Sequence, residues 1–530
     1  MPSKSRNIAS GLLSTCNVRF ASFCDFGCLT INAYIMYIIC MSKTVQLADE
    51  DRSFFRLVAE AAFSNPFSDE RVETDLKIIG RTTPVEDASR TLKVMEAVAQ
   101  RVAKLDAAGL GDACRFAGED RELIETVFLF DAFHQFIKVF DKLILDQTKA
   151  GDTPLAVPFS SSARALMTRR GFSNDAFCHY FAVFYQLRRA FYFINQGLVG
   201  HSPCMQTLRK RLWNNVFTHD IRWYESFLWD HMEDFSTVLL GETGTGKGAA
   251  ATAIGRSGYI PFNMEKECFT ESFTRSFISI NLSQFSPALL ESELFGHRKG
   301  AFTGAIDQHE GILGRCSPHG AIFLDEIGEV AVPIQIKLLQ VLQERIFSPV
   351  GSHEKLRFRG RVIAATNKPL DELRQQGRFR DDFFYRLCSD VITVPSLRQR
   401  LQEDPGELDE LLDHVIQRLT GQQSKTLVTE IRSVFNKSLG DNYPWSGNVR
   451  ELEQAVRRIL LTKQYEGDHM VITAPDAQAR LIAGIEGGTL DAEALLSAYC
   501  TLLYQRHGTY EEVAHRTHLD RRTVKKYITS

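Results

Sequence analysis

The feature that most constrains the fold of this chain is a glycine-rich loop between an apolar run and an alanine-rich run. The segment reads STVLLGETGTGKGAAATAI and occupies residues 236–254. This order predicts a strand, a tight loop and a helix, with the loop amides facing phosphate oxygens at the helix N-terminus. We expect Lys247 to place its charge against the β- and γ-phosphates of a nucleotide. The candidate nucleotide-binding residues of the loop are Gly241, Glu242, Thr243, Gly244, Thr245, Gly246, Lys247 and Gly248.

The residue after the lysine leaves a second interpretation open. In this kind of loop a Ser or Thr usually follows the lysine, and its hydroxyl helps to hold magnesium, whereas this chain has Gly248. Without that hydroxyl, the glycine-rich turn could be only a tight connection between a strand and a helix.

An acidic pair at the end of a later strand supports the phosphate site. The segment AIFLDEIGEV predicts an apolar strand with Asp325 and Glu326 at its carboxyl end, where doubly wound sheets bind ligands. We expect Asp325 to hold Mg2+, directly or through water, and Glu326 to orient and polarise the attacking water. The same pair could instead solvate a loop or cap a helix. A further strand, RVIAATN, ends in Thr366 and Asn367, which are placed to contact the γ-phosphate, so the segments together predict ATP binding and hydrolysis.

The wider pattern separates a helical region from an alternating one. From about residue 200, the short runs STVLLG, FISINL, GAIFLDE and RVIAATN alternate with helical stretches, which predicts a parallel sheet flanked by helices. Residues 41–195 instead carry apolar residues at three- and four-residue steps, which predicts a mainly helical region. Their aromatic faces could line a pocket for an apolar effector, although packing between helices is the favoured interpretation.

Composition limits the possible partners and the compartment. A net charge of -3 means that DNA contact would need a local basic patch. The 11 cysteines are scattered without paired spacing, which favours reduced thiols in a cytoplasmic protein over a disulfide framework. Nothing after residue 40 has the pattern of a membrane span, so no membrane partner is expected.

Residues 1–40 differ from the rest of the chain and form an uncertain leader. They end in the apolar run LTINAYIMYIIC, which is too short to cross a bilayer comfortably but has some character of a targeting signal. Cys24 and Cys28 could bind a metal, although one such pair is weak evidence. Translation beginning at Met41 is the third interpretation and the one favoured over a targeting signal or a metal site, since the sequence from there has the pattern of a soluble start.

One further stretch is diagnostic of a family. ESELFGHRKGAFTGA places Phe302 and Thr303 at a tip flanked by glycines that permit sharp backbone reversal. With this stretch, residues 200–460 closely resemble the central AAA+ domain of bacterial enhancer-binding proteins, the sigma-54-dependent activators. By pattern alone the tip could be any flexible turn; the resemblance implies that it contacts sigma-54. The residues concerned are Gly300, Ala301, Phe302, Thr303, Gly304 and Ala305.

Other segments resemble the family in order along the chain, namely GHSPCMQTLRK, SINLSQ, PIQIKLLQVLQER, GRFRDDFFYRL and YPWSGNVRELEQ. The resemblance implies that Asn281 holds Glu326 inactive until the nucleotide is sensed. It also implies that Arg380 and Arg386 donate to the ATP of a neighbouring subunit in a ring, and that Arg450 reaches the phosphates. For any single arginine, a surface salt bridge would be the ordinary explanation.

The chain departs from the family pattern at several places. The stretch PFNMEKECFTESF lengthens the connection between the P-loop helix and SINLSQ. Ser396 and Ser446 stand where relatives usually have Pro, and Gly248 stands where they usually have Glu. None of these changes removes a predicted catalytic group.

The C-terminal tail, GTYEEVAHRTHLDRRTVKKYI, predicts two short helices joined by a turn. It resembles the Fis-like helix-turn-helix that ends many of these activators, although His518 stands where the turn usually has Gly. The tail could be only a solvated basic helix, but we favour contact with double-stranded DNA. The candidate DNA-binding residues on its second helix are Arg521, Arg522, Thr523, Lys525 and Lys526.

The predicted fold class is an α/β AAA+ P-loop ATPase with a helical lid, a mainly α N-terminal domain and a C-terminal helix-turn-helix. The domains are a leader at 1–40, a regulatory or sensory domain at 41–195, the ATPase at 196–470 with its lid from about 398, and the DNA-binding domain at 485–530.

The leading hypothesis is an ATP-dependent transcriptional activator. It would bind an upstream DNA site as a homo-oligomer, from dimer to hexameric ring, and remodel closed complexes of sigma-54 RNA polymerase into open ones. The alternative is an AAA+ regulator whose ATPase controls only assembly or acts on a different protein.

Overall fold

A computed structural model of the chain describes residues 45–83, 86–440, 443–467 and 490–529, together with positions 481, 485 and 488. The interpretations offered for residues 1–40 and for a start at Met41 lie outside the described residues. The described cysteines are all free thiols. None of the described helices combines the length and the apolar character that a membrane-spanning helix requires.

The N-terminal region is helical, as predicted. Its helices are α1 Asp49–Phe63, α2 Asp69–Ile78, α3 Asp87–Ala107, α4 Gly118–Ala150, α5 Ser160–Arg169 and α6 Asn174–Gln196. The first half of the region packs around its own core, which includes Phe55, Val98 and Phe128. The second half, from Ala132 onward, shares one continuous core with the following α/β domain.

Five parallel strands form the central sheet: β1 Thr237–Leu240, β2 Phe277–Asn281, β3 Ala321–Asp325, β4 Arg361–Thr366 and β5 Asp390–Thr393. Their spatial order is β2-β3-β4-β1-β5, so β1 lies between β4 and β5. The first four strands confirm the four predicted runs. The fifth, DVIT, was not predicted, because it is short and only Ile392 is fully buried.

Helices cover both faces of the sheet, in the order α7 Pro203–Phe217, α8 Lys247–Gly255, α9 Pro287–Phe295, α10 Val332–Glu344, α11 Leu370–Gln375 and α12 Asp381–Leu387. Short helical turns occur at Ala113–Arg115, Ile221–Trp223, Tyr224–Leu228, Met232–Asp234, Leu282–Gln284, Ile312–Arg315 and Ile327–Glu329. Two small antiparallel ladders pair Phe262–Asn263 with Cys268–Phe269, and Ile346–Phe347 with Leu356–Arg357.

A helical lid follows the sheet, with α13 Leu397–Glu403, α14 Glu407–Thr420, α15 Lys425–Ser438 and α16 Asn448–Thr462. Ser396 caps α13, since its hydroxyl accepts a hydrogen bond from the Gln399 amide at 3.3 Å. The C-terminal helices are α17 Ala492–His507, α18 Tyr510–Thr517 and α19 Arg521–Thr529, packed around Cys500, Leu503, Val513 and Val524.

Candidate active site

The glycine-rich loop lies at the carboxyl end of β1 and opens α8. Gly244 and Gly246 have φ values of +82° and +104°, which glycine adopts at little cost. The Lys247 ammonium donates to the carbonyl oxygens of Gly241 and Glu242, at 2.8 and 2.9 Å. The loop therefore curls around its lysine, with α8 starting at that residue.

Electrostatic effects on Lys247 identify its neighbours. Burial lowers the pKa of the Lys247 ammonium, and the carboxylates of Glu326 and Asp325 act in the opposite direction. Arg450 adds to the lowering, so this lid arginine also lies within electrostatic range.

A Cβ at Gly248 would meet open space, and packing therefore does not require a glycine there.

The acidic pair lies beside the loop at the end of β3. Glu326 has a φ of +59°, a conformation that costs free energy for a residue with a side chain. The Glu326 amide donates to the Asp325 carboxylate at 3.0 Å, and burial, followed by the charge of Asp325, raises the pKa of Glu326. Oxygen ligands of this kind suit Mg2+, which usually takes one or two carboxylates besides phosphate and water.

The two predicted residues at the end of β4 have different surroundings. The Asn367 amide donates to the Thr243 hydroxyl at 2.9 Å, which places it against the glycine-rich loop. Thr366 is fully buried, and its hydroxyl accepts from the Lys368 amide at 3.1 Å. A Cβ added at Gly328 would come within 2.7 Å of the Thr366 hydroxyl, so Thr366 supports the turn that follows the acidic pair.

Asn281 lies next to the acidic pair, because β2 and β3 align it with Asp325. Its amide oxygen accepts from the amide and the hydroxyl of Ser283, at 3.0 and 2.7 Å. Among the described residues, no hydrogen bond joins Asn281 to Glu326. Asn281 therefore lies at the same sheet edge as the acidic pair, and the switch contact stays a prediction.

The lid contributes a residue that sequence reasoning missed. Asn448 is fully buried, and its amide nitrogen donates to the Glu242 carboxylate at 3.0 Å and to the Thr243 carbonyl at 3.1 Å. Its amide oxygen accepts from the Leu397 amide at 2.7 Å. The sequence signal for Asn448 is its place between Gly447 and Arg450 in YPWSGNVRELEQ.

The family resemblance implies that Arg380 and Arg386 donate to the ATP of a neighbouring subunit. Within the described residues, neither makes a hydrogen bond to the nucleotide loop of its own chain. Arg380 donates to the Asp382 carboxylate at 3.0 and 2.7 Å, and that contact raises the pKa of its guanidinium. Arg386 donates to the Leu342 carbonyl at 2.9 Å. Both arginines are about two-fifths exposed, on either side of a strongly exposed Tyr385.

The GAFTGA segment, residues 300–305, forms a compact turn. The Gly300 amide donates to the Ala305 carbonyl at 2.8 Å, and Gly300 and Gly304 have φ values of +80° and +102°. The Phe302 ring lies 4.9 Å from the His297 ring, edge to face, and 38% of the residue is exposed. The turn therefore presents an aromatic and a hydroxyl, Thr303, on a closed base.

The basic side chains of the tail are on α19. His518, at the turn before it, adopts a φ of +56°, so this residue supplies the left-handed conformation for which glycine is usual. Arg521 lies 3.0 Å from the Glu511 carboxylate and Lys526 lies 4.0 Å from that of Glu493. Arg521, Arg522, Lys525 and Lys526 are exposed, and Thr523 is half-buried.

The strand order, the glycine-rich loop and the lid that contacts it define a P-loop domain of the AAA+ class. The Sigma-54 interaction domain family matches residues 227–393, and the AAA+ ATPase lid domain family matches residues 402–484. The chain belongs to the bacterial enhancer-binding proteins, the sigma-54-dependent transcriptional activators. This confirms the family resemblance inferred from the motifs.

Similar proteins cover different parts of the chain. The transcriptional regulatory protein ZraR of Salmonella typhi is 33% identical over 335 residues, which are 62% of this chain and 67% of ZraR. The nitrogen fixation protein AnfA of Azotobacter vinelandii is 34% identical over 270 residues, 51% of this chain and 47% of AnfA. The chain thus spans about half the length of relatives such as AnfA. The solved structure of NtrX from Brucella abortus in complex with ADP has 19% identity and a TM-score of 0.38, covering 70% of this chain and 80% of that one.

Proposed function

We propose that this protein is an ATP-driven transcriptional activator that opens promoters held closed by sigma-54 RNA polymerase. The observation that carries the proposal is the pairing, in one domain, of a phosphate loop and acidic pair with an exposed Phe302–Thr303 turn. The phosphate loop and acidic pair can release free energy from ATP, and the Phe302–Thr303 turn offers a small amphipathic surface to a protein partner.

The ATPase chemistry is divided among named side chains. Lys247 and the loop amides would bind the phosphates, and Asp325 would hold Mg2+, whose charge would offset that of the phosphates. Glu326 orients the attacking water, and its raised pKa reflects a partly desolvated carboxylate beside the phosphate site. Asn281 and Asn367 adjust this water and the γ-phosphate from the neighbouring strands β2 and β4.

The remaining charge stabilisation comes from a second subunit. Arg380 and Arg386 are exposed and make no hydrogen bond to the nucleotide loop of their own chain, within the described residues. A guanidinium supplied in trans stabilises charge that develops on the transferred phosphoryl group. Hydrolysis would then require a homo-oligomer, for which we favour a ring of up to six subunits.

The C-terminal helices would tether the ring to upstream double-stranded DNA. The exposed Arg522 and Lys525 on α19 suit contact with phosphates or base edges in the major groove. Arg521 and Lys526, each near a carboxylate, would exchange those partners for phosphate.

Promoter melting with purified sigma-54 polymerase, ATP and the full chain tests the proposal. We expect open-complex formation by the wild type, and normal ATP hydrolysis without melting for Thr303→Ala. A wild type that hydrolyses ATP but melts no promoter would favour the alternative, a regulator whose ATPase controls assembly or acts on another protein. Melting that survives Thr303→Ala would remove the role assigned to the turn.

A further inference from the structure

The P-loop helix α8 is held at its far end by the N-terminal region. Helix α8 has nine residues and ends at Gly255, and Arg256, Ser257 and Gly258 follow it directly. Backbone carbonyls buried in such a segment need hydrogen-bond partners. Arg189 of α6 donates to the carbonyls of Arg256 and Gly258, at 2.6 and 2.7 Å. Gln186, one turn earlier, donates to the carbonyl of Ser257 at 2.9 Å. Three consecutive carbonyls are therefore capped by two side chains from another region.

These two capping side chains are deeply buried. Arg189 is 0% exposed and Gln186 is 1% exposed. Arg189 has no carboxylate among its hydrogen-bond partners in the described residues, and its guanidinium lies 4.5 Å from the Tyr185 ring. A buried cation held by carbonyls at a helix C-terminus interacts favourably with the helix dipole. Such a group is costly to bury and loses its compensation if α8 moves away.

The insertion that departs from the family pattern completes the contact. The Phe269 ring stacks on the Tyr185 ring with their centroids 4.0 Å apart, and the centroids of the Phe262 and Phe181 rings are 4.9 Å apart. The Val157 amide also donates to the Glu267 carbonyl at 2.8 Å. The insertion between α8 and β2 therefore packs on α6 and the segment before α5, and it fixes α6 relative to α8.

Geometry links this contact to the phosphate site. A helix of nine residues spans about 13 Å, and its first residue is Lys247. Ala250, Ala251 and Ala253 are fully buried, so α8 has little freedom to bend. A shift at its C-terminal end would therefore displace the lysine and the loop amides at its N-terminal end.

We propose that Gln186 and Arg189 are positioning residues for the nucleotide site, and that the N-terminal region sets ATP affinity by holding or releasing the C-terminal end of α8. This inference rests on the proposed function, in that the site must bind nucleotide. It assigns the control of that site to one contact surface, formed by α6 and the insertion.

Neighbouring arginines on α6 provide a matched test in the full chain. Arg188 donates to the Asp141 carboxylate at 2.8 Å and thus ties α6 to α4, within the N-terminal region. We expect Arg189→Met to weaken binding of mant-ADP by about tenfold or more, and Arg188→Met to change it by less than about twofold. Arg189→Lys keeps a cation that can donate to the same carbonyls and should restore most of the affinity. Folded Arg189→Met that binds mant-ADP like the wild type would overturn the inference.

A second measurement separates this inference from the proposed function. Amide hydrogen exchange in α8, without nucleotide, should accelerate in Arg189→Met and not in Arg188→Met. Equal exchange in the two variants would overturn the inference, whether or not the wild type binds mant-ADP. A wild type that binds no mant-ADP would instead refute the proposed function. If Arg189→Met does not fold, Gln186→Met is measured in the same two ways, and unchanged affinity and exchange would overturn the inference.

Discussion

The Asn448 side chain donates a 3.0 Å hydrogen bond to the Glu242 carboxylate and so joins the lid to the nucleotide loop across 206 residues of sequence. Arg398, at the start of α13, also lies 3.1 Å from that carboxylate. The Val449 amide adds a bond to the Gly244 carbonyl at 3.1 Å. The loop is thus held from the lid side by the first turns of two helices.

Removing this amide should loosen the loop. In Asn448→Ala, the buried Leu397 amide and the Thr243 carbonyl each lose a partner, so we expect a loss of about 2–3 kcal/mol of unfolding free energy. Nucleotide affinity should fall as well, because Glu242 keeps only its contact with Arg398 on the lid side. Chemical denaturation and mant-ADP titration measure the two effects. Arg458→Ala, an exposed change on the same helix, is the control, and equal behaviour of the two variants would contradict the assignment.

The left-handed glycine of the GAFTGA turn allows a backbone test. Gly304 has a φ of +102°, and an added Cβ would meet open space, so Gly304→Ala costs about 1 kcal/mol through backbone conformation alone. We expect retained ATP hydrolysis and lost promoter opening. Gly421, at the end of α14, has a φ of +77° and equal free space. Gly421→Ala should therefore lose similar stability while still opening promoters; identical promoter activity of the two variants would argue against a role for the turn geometry.

A mixing experiment tests whether Arg380 acts on the ATP of a neighbouring subunit or on the ATP of its own chain. Lys247→Ala should abolish nucleotide binding, and Arg380→Ala should abolish hydrolysis but not binding. Neither variant alone should turn over ATP. Mixed in equal amounts, they should recover part of the rate, because a Lys247→Ala subunit still offers its arginine to an intact site. A mixture as inactive as its components would reject the arrangement, as would full activity of Arg380→Ala alone.

A partly buried histidine should make the N-terminal region sensitive to acid. Burial lowers the pKa of His134 to about 4, from an unfolded value near 6.5. Between these pH values the unfolded chain binds a proton that the folded chain does not, so stability should fall as pH drops from 6.5 towards 4, by about 2–3 kcal/mol. Thermal unfolding of His134→Gln should lack this component. His231→Gln, which replaces an exposed histidine, is the control variant, and it should retain the loss of stability that His134 causes.

Most residues of the candidate nucleotide site could be proposed from the sequence, because their signals are local. The glycine-rich loop, the strand before Asp325 and the strand before Thr366 each have a pattern that spans fewer than ten residues. Asn448 was missed because its partners, Glu242 and Leu397, come from distant parts of the chain, and an asparagine after a glycine is equally typical of a turn.

Other features depend on tertiary packing that periodicity does not encode. Strand β5 is too short to show an alternation, and it is defined by its pairing with β1. From the sequence alone, the insertion PFNMEKECFTESF shows only that the connection between α8 and β2 is longer than in relatives. Its role depends on the contacts of Phe262 and Phe269 with α6, which no local pattern predicts.

Those aromatic contacts bear on how the protein can be dissected. An ATPase fragment that lacked residues 45–196 would expose Phe262, Phe269 and Phe273, and would leave the Arg256 and Gly258 carbonyls without their donor. Exposed aromatic surface of this kind promotes self-association. A low ATPase rate measured on such a fragment would therefore reflect disrupted packing of the ATPase domain, and not the loss of a regulatory signal. Fusing another sensory domain to the fragment would first require polar substitutions on that surface.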